Sequence, residues 1–181
     1  MFVDGKIAQV GGSDLSDEGL ARLAERAVGM AKFSPEDPYA QLADASQLAK
    51  DWPVLETCDP DEPSTEALLN SAAEAEEAML GVEGITNSGG ASAGWTKSSL
   101  VIATTNGFLG SVQATRQGLS VSGIAGEGEA QKRDYDYALA VFGEDLKDPK
   151  EVGLEAGRRS VRQLGAKPGA TAQIPVIFEP R

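Results

Sequence analysis

The run from Val82 to Phe142 constrains the fold most, because β-prone segments alternate there with glycine punctuation. Asn106-Gly107 lies between two of these segments. An Asn-Gly pair favours a type I′ turn, which requires positive φ at both central residues, so it predicts an antiparallel hairpin with its register set at that point. Further on, Leu119, Val121 and Ala125 alternate with Ser120, Ser122 and Ile124, giving a strand with two chemically distinct faces. Gly126-Glu127-Gly128 then reads as a hairpin turn. The strand after it carries Arg133, Tyr135 and Tyr137 on one face and Asp134 and Asp136 on the other. Together these runs predict a twisted meander of about four antiparallel strands.

Helical patterns flank the meander. Ser13 to Ser16 offer capping residues, and Leu20, Leu23, Ala24, Ala27, Val28 and Ala31 recur at helical spacing, which predicts a helix from Asp17 to Lys32. Ser64 caps a second helix, whose wide stripe of Leu68, Leu69, Ala72, Ala73, Ala75, Ala78, Met79 and Leu80 stops at Gly81 in the C′ position; this helix is expected to cross one face of the meander. Asp148-Pro149-Lys150-Glu151 opens a third, with Asp148 as cap and Glu151 completing a capping box, and Gly165 ends it. Between the first two helices, Pro35, Pro38, Pro53, Pro60 and Pro63 enforce an irregular connection with a short helical turn near Ala40–Leu48. Trp52 in that connection could serve as a binding anchor, but as one aromatic in a loop it is expected to pack on the core. Phe2–Val10 reads as extended with an Asp4-Gly5 turn, and Ile174–Phe178 as a final edge strand. The fold class is α+β, an antiparallel meander flanked by amphipathic helices.

The chain has 28 acidic and 16 basic residues and a formal charge of −12, so phosphate-backbone binding is opposed and no nucleic-acid role is expected. It has no histidine, which removes Ser-His-Asp, Cys-His and His-Glu-x-x-His chemistry together. The single cysteine, Cys58, cannot form an internal disulfide and suits a reducing compartment. The acidic stretch Asp59-Pro60-Asp61-Glu62 lacks the spacing of a calcium loop and reads as solvated linker. No apolar run reaches membrane-helix length, and Met1–Lys6 has no signal-peptide character; a cytoplasmic chain without membrane contact is expected.

Two places are candidate sites. Gly89-Gly90 and the small residues up to Gly94 would let another backbone approach closely, although the plainer reading is a tight turn and bulge between strands. Arg133, Tyr135 and Tyr137 could offer a face to a peptide or protein partner, against which stands ordinary cross-strand pairing. Asp134 and Asp136, as carboxylates on an exposed strand, require only water, and no catalytic or metal-binding residue is expected.

Gly84–Trp95, Thr104–Phe108, Leu119–Tyr137 and Gly157–Arg181 resemble the TldD/PmbA family, once described as modulators of DNA gyrase and now regarded as metalloprotease subunits. The resemblance covers nearly the whole chain. It implies a fragment of a larger multi-domain protein: residues 1–63 as the remnant of an N-terminal α/β domain with the proline-rich connection, 64–165 as a central helix, meander and helix domain, and 166–181 as a linker and the first strand of a C-terminal domain lying beyond this chain. The Arg133–Tyr137 run and Ile174–Arg181 resemble the PmbA/TldE branch. That branch implies a non-catalytic subunit with no cofactor of its own, paired with a TldD-like subunit that carries zinc and acts on unfolded peptides. The alternative is a peptide-binding or protein-binding module without protease activity, capturing extended segments by strand addition.

Overall fold

The computed structural model describes residues 1–178. The chain divides into two compact units, the first formed by residues 1–54 with 100–112 and the second by 55–99 with 113–178.

In the first unit β1 (Phe2–Val3) and β2 (Lys6–Ile7) form a small antiparallel hairpin. Asp4 and Gly5 both have positive φ, 48° and 71°, the pair of conformations a type I′ turn requires. Helix α1 (Asp17–Phe33) starts at Ser16, whose Oγ accepts the Gly19 N–H at 3.1 Å, and buries Ala27 and Ala31. The proline-rich connection is irregular apart from a single 3₁₀ turn at Ala45–Gln47. Trp52 is not a core residue: half of it is exposed, and it tilts against Phe108 with ring centroids 6.1 Å apart.

The second unit contains α2 (Thr65–Leu80), most of β3 (Ile85–Ala103) and β4 (Leu109–Ala125), β5 (Lys132–Ala140) and α3 (Pro149–Arg162). The sheet has three strands, in the order β3-β4-β5, rather than about four. The difference lies at Gly89–Gly94, which form no turn and run inside the continuous strand β3. A Cβ on Gly89 would meet Ser122 Oγ, whereas Ser92 Oγ lies 3.0 Å from Ser120 Oγ. Three steps along β3 therefore match two along β4, and the extra residue is a β-bulge at Gly90, where φ is +102°.

The β3–β4 turn also departs from expectation. Gly107 has φ +94°, but Asn106 is not in the positive region. Gly107 N–H donates to Thr104 O at 3.1 Å and Thr104 N–H to Phe108 O at 3.0 Å, so the loop is a three-residue turn closed by one left-handed glycine. Asn106 instead uses its side chain, donating through Nδ2 to Ala43 O at 2.7 Å.

One face of the sheet carries the core. Leu119, Val121 and Ala138 are buried against Ala75 and Met79 of α2 and Val152 and Ala156 of α3. Full burial of a side chain such as Met79 or Leu119 contributes about 1.5–3 kcal/mol each. Ser64 Oγ caps α2 by accepting the Ala67 N–H at 3.1 Å, and Gly81 closes it with a right-handed φ of −71° rather than as a left-handed C′ residue. Asp148 caps α3 by accepting the Lys150 N–H at 2.8 Å, with Pro149 in the first turn. Residues 174–178 form no strand, because a strand exists only as part of a ladder; 179–181 lie outside the described residues.

Ahead of α2, residues 57–59 are tied to β4. Thr115 N–H donates to Thr57 O at 2.9 Å, and Asp59 N–H to Thr115 Oγ1 at 2.7 Å. The Asp59 carboxylate, 7% exposed, accepts from Asp61 N at 2.9 Å and from Gly143 N at 2.8 Å. It is a structural tie, not a solvated linker residue.

Candidate functional site

Strand alternation decides which side chains reach the open face of the sheet. In the β4–β5 register Leu119 pairs with Ala138 and Val121 with Asp136 on the core side, while Ser120 pairs with Tyr137, Ser122 with Tyr135 and Ile124 with Arg133 on the other. The expected division of β5 is therefore present. Its acidic face, however, is the one turned to the helices: Asp136 is 2% exposed, and Asp134 accepts the Gln163 Nε2 at 2.5 Å from the end of α3. The reading of these aspartates as carboxylates on an exposed strand is overturned, because α3 packs on β5 and covers that side.

On the open side, Gly89, Gly90, Ala91 and Ser92 of β3, Ser120 and Ser122 of β4, and Arg133 and Tyr135 of β5 line one shallow depression of about 680 Å³, which Val121 and Asp134 also border. Four of the five candidate residues thus come together across three strands. Tyr137, the fifth, lines an adjoining depression of about 440 Å³ that shares Ser92 and Ser120 with the first, and its ring stacks on Tyr135 at 6.3 Å. Arg116, Gly118 and Leu139 belong to this second depression.

The arginine is held. Arg133 Nε donates to Ser122 Oγ at 2.7 Å, and Ser122 Oγ in turn donates to Asp134 O at 3.3 Å. Its other guanidinium N–H groups have no hydrogen-bond partner among the described residues. Gly89 makes this possible, since a Cβ there would stand 2.8 Å from Ser122 Oγ and 3.2 Å from Arg133 Nε. The sequence reading missed the serines and Arg116; the period of two in β4 carried that signal, for it sends 116, 118, 120 and 122 to the side away from Leu119 and Val121.

The face offers hydroxyls, one oriented guanidinium and a tyrosine shelf. Among the described residues no three of His, Cys, Asp and Glu cluster closely enough to hold a metal ion. No described helix is long and apolar enough to cross a membrane.

These features define an α+β module, an antiparallel sheet backed by helices on one face and open on the other. Residues 58–164 match the PmbA/TldA metallopeptidase central domain, and the chain belongs to the PmbA/TldD family. Metalloprotease PmbA of Escherichia coli is 35% identical over 167 residues, which cover 92% of this chain and 37% of that protein. A PmbA homologue from Haemophilus influenzae is 32% identical over the same shares. Among solved structures, a protein from Bacteroides thetaiotaomicron described as a modulator of DNA gyrase superposes with a TM-score of 0.79 at 28% identity, over 91% of this chain and 38% of its own. A Thermotoga maritima protein with the same description shares the fold at TM-score 0.69 and 20% identity, over 94% of this chain and 38% of its own. The chain spans a little over a third of the length of the relatives it matches.

Proposed function

We propose that the chain is part of a non-catalytic, PmbA/TldE-type subunit of a cytoplasmic metalloprotease acting on unfolded peptides, and that its open sheet face guides the peptide. The family supplies the protease context. The observation that carries the guiding role is the convergence of Gly89, Gly90, Arg133 and Tyr135 from three strands on one depression beside the Tyr135–Tyr137 stack. Glycines let a second backbone come close, and tyrosines present wide, stiff contact surface.

Zinc is expected in a TldD-like partner subunit, as the resemblance to the family implies. Zinc sites are built from imidazole, thiolate and carboxylate donors, and this chain has no histidine, one cysteine and no suitable cluster among its described residues. The described residues of this chain do not fit the metal.

Peptide hydrolysis and co-purification test the reading. The purified chain should leave an unfolded peptide intact, and the same chain extended to its relatives' length should support cleavage only with a TldD-like subunit from the same genome. Cleavage by the chain alone that persists with a chelator, or no association with any TldD-like subunit, would overturn it.

A further inference from the structure

The open face is not electrically neutral. The chain carries −12 overall, yet the outward positions of β4 and β5 around the two depressions hold Arg116 and Arg133; Asp136 is buried on the helix side, and Asp134, the one carboxylate that borders the first depression, is engaged by Gln163 Nε2 from the end of α3. Glu129 and Glu127, the acids that precede Arg133, belong to the loop between β4 and β5. Arg133 is the better defined cation: Ser122 holds its Nε, and it lines the same depression as Gly89, Gly90 and Ser92. A guanidinium fixed in this way has already lost part of the side-chain freedom that binding would otherwise cost, and its fork of donors matches a carboxylate.

We propose that Arg133 is the anchor for an acidic side chain of an extended peptide laid across this face, which makes the segment selected one that carries Asp or Glu. This rests on the peptide-guiding role proposed above and specifies its ligand. The two depressions share Ser92 and Ser120, so the path continues past Arg133 and does not end there. From Ile124, the partner of Arg133, back to Arg116 the strand runs about 26 Å at roughly 3.3 Å per residue. A path open in this way receives a side chain of a passing segment, not a chain terminus. Tyr135 and Tyr137 lie between the two cations and flank the peptide as it crosses.

The test uses the 181-residue chain and fluorescein-labelled ten-residue peptides, acetylated and amidated at their ends, in which two Glu are replaced by Gln in the control. The Glu peptide should bind about tenfold more tightly than the Gln peptide, the size of one charge-assisted contact. Arg133→Gln, at an exposed position, should remove that difference while leaving the circular dichroism spectrum and melting midpoint unchanged. Gly89→Ala should weaken the Glu peptide more than the Gln peptide, because its Cβ displaces Arg133 from Ser122. Equal binding of the two peptides, abolished by Tyr135→Ala, would leave the guiding face standing and overturn the carboxylate anchor. Binding of neither peptide would overturn both. Tighter binding of a Glu-free peptide with a free carboxyl terminus, or of an oligothymidylate, would overturn the assignment to an acidic side chain.

Discussion

Gly153 of α3 lies so close to the Ala75 carbonyl of α2 that a Cβ at position 153 would overlap the oxygen and stand 3.0 Å from the Ala78 Cβ. One turn along α3, a Cβ on Gly157 would meet Val82 and the Met79 carbonyl in the same way. The two helices therefore cross at backbone contact, and this crossing brings Met79 and Val152 together over the sheet. Gly153→Ala should destabilise the second unit by about 1–3 kcal/mol or more, since the obstruction is backbone and cannot rotate away. Gly29→Ala in α1 is the comparison: nothing lies within 4 Å of its added methyl, and it should stabilise by roughly 0.5–1 kcal/mol. Urea midpoints of the two variants moving in opposite directions check this.

Ser160 joins α3 to two strands. Its buried hydroxyl accepts the Asp134 N–H at 3.1 Å and lies 3.0 Å from the Gly123 carbonyl, to which it can donate. Ser160→Ala leaves the Asp134 N–H without that acceptor in a covered place and should cost about 1–3 kcal/mol. Hydrogen exchange at the Asp134 amide should accelerate more than at neighbouring β5 amides.

Asp59 gives stability a dependence on pH. The Asp61 N–H first and the Gly143 N–H second hold its carboxyl below the ordinary carboxylate value of 3.8, against a smaller opposing effect of burial. A carboxyl lowered on folding contributes stability that is present above its unfolded value and lost as pH falls through the folded one. Asp59→Asn should therefore melt below the parent at neutral pH, with the gap closing as the pH drops below about 3.8. A gap that stays constant down to strongly acid pH would contradict this.

Gly107 and Gly128 both need positive φ, at +94° and +55°. The second value lies near the left-handed helical minimum that other residues enter with modest strain, and the first lies outside it. Gly107→Val should cost on the order of 1–3 kcal/mol, clearly more than Gly128→Val. Equal urea midpoints for parent and Gly107→Val would show that this turn does not set the β3–β4 register.

The residues themselves determined the caps at Ser16, Ser64 and Asp148, the alternation of β4 and the separation of Arg133, Tyr135 and Tyr137 from Asp134 and Asp136, because each depends on neighbours within a few positions. They also determined that these 181 residues carry no imidazole. Tertiary structure alone decided that Gly89–Gly94 is bulged strand and not turn, since a bulge is defined only by the partner strand it fails to match. It likewise decided which face of β5 is covered. A period of two says that the faces differ, and only the approach of α3 says that Asp136 goes under the helix, with Asp134 at its edge, while the arginine and tyrosines stay open.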